Sequence, residues 1–257
     1  MTKKIIFGLL ALVLNSTNSG AALIVNPPAP IVGTVTVQPI VVSDNDGTNQ
    51  ANYFGNASQQ ASILGFVDTI WSQAGLDIEF LAPNFWNSSF ANEGLATPRP
   101  QSDLTTIVSN GTTAGVTNLD SAVINMFFVN VVPGFEPLNA NFAAGLAYVG
   151  ANGIAQYVGT SLLSFETGRE VIASVVAHEI AHNLGLPHNH IDENLMGTGS
   201  DIVDGERLNA DQIADVLTSQ FVTAVVSDPV ATVPIPITGG VFMFFALLTG
   251  GWYRSRC

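Results

Sequence analysis

All four histidines of the chain fall between positions 178 and 190. His178 and His182 are four residues apart in a stretch with helical periodicity, so both imidazoles leave one face of a helix, one turn apart. Two ligands of a single Zn²⁺ bridge that separation. Glu179 follows His178 directly and projects at an angle to the pair, within reach of a water at the metal without becoming a ligand itself. Gly185 permits a left-handed helix end, which turns the chain back so that His188 approaches the same point. Three neutral nitrogens leave a fourth position for water, the arrangement of a catalytic rather than a structural zinc site. His190 lies two residues beyond His188 and is expected at the surface.

The elements that must position these groups are legible in outline. Val35 to Val42 alternates well enough for a first strand, ending at Ser-Asp-Asn-Asp-Gly. From Asn56 to Ala74 the residues Ile63, Phe66, Val67, Ile70 and Trp71 recur at helical spacing, and Gly75 stands where that helix should stop. A strand follows at Leu76 to Leu81. Residues 83–118 are rich in Asn, Ser, Thr, Gly and Pro and predict a surface excursion with one short helix near Leu104 to Val108. Ala122 to Val132 is apolar on both faces, as an inner strand would be. Gly145 to Val149 and Ile154 to Val158 flank Ala-Asn-Gly as a hairpin. A helix running from Thr167 to Gly185 carries the first two histidines, and Asn209 opens a last one, Ala210 to Phe221.

Composition narrows the function. With 257 residues, 47% of them hydrophobic and 11% charged, the chain has ample material for a core and is not disordered. Lys3, Lys4, Arg254 and Arg256 sit at the ends, so Arg99, Arg169 and Arg207 face all twenty acids in between, and that stretch carries 3 − 20 = −17. Such a surface repels phosphate, which argues against nucleic acid as a partner and favours basic or neutral substrates. The single cysteine, Cys257, forms no intrachain disulfide. Asp44-Asn45-Asp46-Gly47 has the oxygen-rich look of a Ca²⁺ loop at Asp44 and Asp46, but lacks the later bidentate Glu, and a plain turn is the better reading.

Residues 178–188, HEIAHNLGLPH, satisfy HExxHxxGxxH without a gap and resemble the signature of the metzincin metalloproteases. Asn-Leu-Met196-Gly, eight residues past His188, resembles the Met-turn of that family. The resemblance implies one zinc ion held by His178, His182 and His188, Glu179 as general base, and Met196 as the turn residue. It also implies an α+β fold over about residues 35–222: a mixed sheet with a backing helix, an active-site helix and a C-terminal helix. Two departures stand out. Asn189 replaces the Glu, Ser or Asp expected after the third histidine in familiar subfamilies, so no subfamily follows, and Thr198 stands where some members place a tyrosine ligand. No cysteine precedes the domain, which excludes a cysteine switch.

The two ends point to export. Residues 1–22 combine Lys3 and Lys4, an apolar run from Ile5 to Leu14, and small residues from Ser19 to Ala22, as a cleaved signal peptide does. Residues 23–34 read as a Pro-rich linker to a catalytic domain at 35–226, and 227–232 as a second linker. The tail, 233–257, resembles PEP-CTERM sorting signals: Val233-Pro234-Ile235-Pro236, an apolar stretch from Ile237 to Tyr253, then Arg254 and Arg256. That resemblance implies a Gram-negative bacterium, an exosortase-type partner, a temporary membrane anchor, and delivery to the cell surface, outer envelope or extracellular matrix. The expected activity is a zinc endopeptidase acting on peptides or proteins. A surface adhesion or matrix module with a structural or degenerate zinc site and a metallohydrolase of another amide are the rival readings.

Overall fold

A computed structural model describes residues 23–93, 100–132, 144–197 and 205–225. At its centre is β1 (Gly33–Ser43), eleven residues long and buried on both faces. Val35 and Val37 face one core, whereas Ile40 and Val42 face the other. This alternation of two apolar sets is what a strand covered on both sides requires. Parallel neighbours flank it: β2 (Leu76–Phe80) and β3 (Asn84–Asn87) on successive parts of its length, and β4 (Val123–Phe128) in the register Thr36↔Val123 to Val41↔Phe128. Next to β4 lies β6 (Ile154–Gln156), parallel to it, and β5 (Gly145–Ala147) closes the row antiparallel to β6. The sheet is therefore mixed, as expected for the α+β class, and β5 forms its edge among the described residues.

Two helices cover one face. α1 (Ala57–Ser72) starts at Asn56, whose side chain accepts from the amides of Ser58 and Gln59 while Gln59 returns a bond to Asn56. This reciprocal cap fixes the helix start. α4 (Glu166–Asn183) packs beside it, and Ile63, Val67, Ile70 and Trp71 of α1 share a core with Ile172, Val176 and Ile180 of α4. On the opposite face Leu104 and Ile107 of α3 (Pro100–Thr113) pack with Phe127, Ile40 and Leu146. The excursion at 83–118 is thus more ordered than its composition predicts. It adds β3 to the sheet, a short helix α2 (Ser89–Glu93), and a helix of 14 residues where five were expected. Polar residues dominate there, and only Leu104 and Ile107 signal a buried stripe, so periodicity alone undercounts the helix.

The last helix, α5 (Ala210–Leu217), begins at its Asn209 cap as expected but ends four residues early. The chain then turns at Ser219 into β7 (Val222–Ala224), antiparallel to Gly33–Val35 of β1. A three-residue, largely exposed strand has no pattern of its own, and only its partner defines it. The Pro-rich stretch 23–34 reads as a linker in the sequence, yet it lies against this unit. Ala29 donates to the Ser72 carbonyl at 2.8 Å, Asn26 to the Leu208 carbonyl at 2.6 Å and Ile24 to Glu206 Oε2 at 3.0 Å, and β1 begins already at Gly33. Among the described residues no helix is long and apolar enough to cross a membrane. The expected signal peptide, 1–22, and sorting tail, 233–257, lie outside the described residues.

Candidate metal centre

α4 brings His178, Glu179 and His182 into the interior, exposed by 1%, 4% and 1%. Leu184 ends the helix, and Gly185 follows with φ +113°, a conformation that a side chain would strain. The reversal returns His188, partly exposed, to the other two. Its Nε2 lies 3.0 Å from His178 Nε2 and 3.1 Å from His182 Nε2. Among the described residues these three are the group able to hold a metal ion, with ligand atoms within 4.8 Å of one another. His190 is exposed, as the sequence predicts.

The tautomers follow from the neighbours. His178 Nδ1–H donates to the Leu195 carbonyl at 2.6 Å, and His182 Nδ1–H to the Leu186 carbonyl at 2.7 Å. Both Nε2 atoms therefore present bare lone pairs. A proton on His188 Nε2 would satisfy at most one of them well. A cation satisfies all three, and the contacts resemble the edges of a tetrahedron about 3.3 Å long that nitrogens about 2.05 Å from Zn²⁺ would form. Burial, then the neighbouring rings, holds His178 well below the usual histidine range. Burial first, then His188, pushes His182 to about 4, and burial first, then His190, pushes His188 to about 4. Neutral imidazoles are the form that binds metal.

Glu179 completes the fit. Its Oε2 is buried and has no hydrogen-bond partner, and burial pushes its carboxyl up to about 8. Beside a dication the ionised form would be favoured again. Across from it lies Gly145 of β5, where a Cβ would stand 2.4 Å from Glu179 Oε1 and 2.5 Å from its Cγ. A glycine is what lets the edge strand and this carboxylate meet. Tyr157 N–H donates to the Ala144 carbonyl at 2.8 Å and Tyr148 N–H to the Gly153 carbonyl at 3.2 Å. With that register, Gly145 and Ala147 occupy the alternate positions whose N–H and C=O point away from β6.

Met196, fully buried, sits in the turn after Asn194, and Asn189 N–H donates to its carbonyl at 2.9 Å. Asn194, 2% exposed, anchors this turn through its side chain. Neither Asn194 nor Gly145 stands out in the sequence, because their roles depend on partners far along the chain. The Ca²⁺ reading at Asp44 and Asp46 is not supported. Asp46 Oδ1 accepts from the Thr48 hydroxyl at 2.6 Å and its amide at 3.0 Å, and Asp44 Oδ1 accepts from Asn92 at 2.9 Å. The Thr48 hydroxyl bond holds the Asp46 carboxyl below its ordinary range. The Asp46 carboxylate closes a turn and that of Asp44 ties the loop to α2, and no metal-ligating group of three includes them among the described residues.

A mixed sheet backed by helices, with a histidine triad and a buried carboxylate beneath its edge strand, defines a zinc metallopeptidase. Residues 57–189, just over half of the chain, match the model of Metallo-peptidase family M12B, reprolysin-like, and the chain belongs to that family. Among solved structures, the chain is similar to archaemetzincin from Methanopyrus kandleri, at 17% identity over 71% of this chain and 93% of that one, with a TM-score of 0.45. It is also similar to metalloproteinase-II from Bacteroides fragilis, at 15% identity over 79% and 58%, with a TM-score of 0.46. A third similar structure is a zinc-dependent peptidase from Methanocorpusculum labreanum, at 14% over 70% and 99%, with a TM-score of 0.44. No curated relative matches at a significant level.

Proposed function

We propose that the chain is a zinc endopeptidase in which His178, His182 and His188 hold the metal, Glu179 is the general base and Met196 is the turn residue. The observation that carries this reading is the convergence of three Nε2 atoms beside a buried carboxylate oxygen that lacks a partner. When bound, Zn²⁺ supplies Lewis acidity, polarising a peptide carbonyl and making water acidic near pH 7. Glu179 Oε2 takes a proton from the attacking water and delivers it to the leaving amine as the C–N bond breaks. An extended substrate pairs with β5, the edge strand among the described residues, and backbone pairing tolerates many side chains. The acidic surface favours basic or neutral peptides.

The test is digestion of a mixed peptide library with and without chelator, together with zinc analysis. Cleavage that chelator abolishes and added zinc restores, at about one zinc per chain, is expected. Zinc binding without cleavage would sink the peptidase assignment for this substrate class.

Export belongs to the same proposal. Leader 1–22 is removed, the catalytic domain is 35–226 together with the segment 23–34 packed on it, and the tail 233–257 anchors the chain until an exosortase-type enzyme cuts it. Support comes from the sequence of the two ends, with basic residues beside both apolar runs and Pro234 and Pro236 just before the second. Intact mass of the extracellular chain decides. Loss of both ends, the second by a cut near Pro234 to Ile237, is expected, and a chain still ending at Cys257 would remove the sorting reading.

A further inference from the structure

We infer that Gln212, on α5 and outside the histidine motif, is a positioning residue for two of the three histidines. The inference rests on the zinc-site reading above and follows a continuous path of hydrogen bonds. Gln212 is 8% exposed, and its side chain forms a reciprocal amide pair with Asn194. Gln212 Nε2 donates to Asn194 Oδ1 at 3.0 Å, and Asn194 Nδ2 donates to Gln212 Oε1 at 2.8 Å. Asn194 Oδ1 accepts two more bonds, from Met196 N–H at 3.0 Å and from Asn189 Nδ2 at 2.8 Å. The backbone N–H of Met196 fixes which end of the Asn194 amide is oxygen, because the flipped amide would face it with a donor.

The turn pinned in this way serves both histidines that need help from outside their own segment. Its Leu195 carbonyl accepts from His178 Nδ1, and its Met196 carbonyl accepts from the amide of Asn189, the residue next to His188. His182 is independent of the turn, since its Nδ1 bonds the Leu186 carbonyl just past its own helix. Gln212 therefore acts on His178 through Leu195 and on His188 through Asn189. It has a second duty. Its Oε1 also accepts from Asn209 N–H at 2.9 Å, and Asn209 Oδ1 accepts from Gln212 N–H at 2.9 Å, which caps α5. The test must separate the cap from the contact with Asn194.

Asn209→Ala breaks the cap and leaves the amide pair. Gln212→Met removes the amide pair, and Gln212→Glu keeps an oxygen for the cap while setting an acceptor against Asn194 Oδ1. For the full chain and each variant, zinc content, the rate of zinc release into excess chelator, and melting of the zinc-free and zinc-loaded forms are measured. Both Gln212 variants should release zinc about tenfold faster or more, the usual scale for losing an outer partner of a metal ligand. Asn209→Ala should melt lower in both forms yet release zinc at the wild-type rate. Wild-type release from the Gln212 variants overturns the inference, as does release from Asn209→Ala as fast as theirs, which would make helix stability the cause. A wild-type chain that takes up no zinc overturns the zinc-site reading itself, a result distinct from either.

Discussion

His178 and His182 come from one helix and are almost wholly buried, whereas His188 comes from the loop behind Gly185 and is partly exposed. The first pair is placed by local geometry: four residues on an α-helix bring two side chains over one another, and the α4 core holds that helix against α1 and the sheet. The third depends on a glycine turn, on the Met196 carbonyl and on a set of side-chain amides reaching to α5. A helix supplies its own hydrogen bonds, but a loop must borrow them. The spacing of the first pair is therefore written in the helix, while the ring of His178, through Leu195, and the position of His188 also draw on Asn189, Asn194 and Gln212.

The contrast can be broken most severely at a ligand. His182→Ala should lose both zinc and hydrolysis, because two nitrogens hold Zn²⁺ far more weakly than three. His190→Ala should keep both, and metal analysis of the pair checks the assignment. If His190→Ala lost the metal while His188→Ala kept it, the loop half of the site would have to be redrawn. Next in size is Glu179→Gln, expected to retain about one zinc per chain while turnover falls about 10²–10⁴-fold or more, the loss of a general base. Unchanged turnover at full zinc occupancy would remove Glu179 from the chemistry.

A smaller effect is expected at the edge strand. In Gly145→Ala the added Cβ would meet Glu179 Oε1 at 2.4 Å, so the carboxylate or the strand must shift. Displacement on the scale of an ångström costs about 10²-fold in rate, so kcat should drop by that order with zinc content unchanged. Wild-type kinetics in this variant would show that the carboxylate has room to spare.

The smallest effect tests the base of α4 rather than its histidines. Glu206 is buried, and its Oε1 accepts from the hydroxyl of Ser174, one turn before His178, at 2.6 Å, with the Glu170 carbonyl 3.0 Å from the same hydroxyl oxygen. Burial, opposed by bonds from Ser174 and Ile24, raises the Glu206 carboxyl above its ordinary value of 4.5. The folded chain thus holds this proton more tightly than the unfolded one, so the contribution of this group to stability is fully present below pH 4.5 and is lost as pH rises through the folded value. Glu206→Gln, which mimics the protonated form, should melt above the wild type at pH 8 and level with it near pH 4.5. Melting curves at the two pH values decide, and an equal offset at both would rule out ionisation as the cause.

Helices were legible where capping and periodicity agreed. Asn56 and Gln59 cap α1, Asn209 and Gln212 cap α5, and Gly75 ends the first helix as expected, with φ +67°. Strands were legible where an apolar run or alternation marked them, as in β1, β2 and β4, and where turn residues joined two runs, as in β5 and β6. The four residues of β3 and the three of β7 are strands because β1 offers them free backbone groups, a fact about the partner that no local window contains.

By itself the sequence determined the HExxHxxGxxH motif at 178–188, the helix beneath its first half and the acidic balance of the chain, since each depends on residue type and short spacing. Only the tertiary structure decided that Gly145 meets Glu179 across 34 residues of chain, and that Gln212 answers Asn194 across 18. Those contacts arise from how the sheet edge and α5 pack around α4. A glycine or an amide has the same local propensity whether or not such a partner is there.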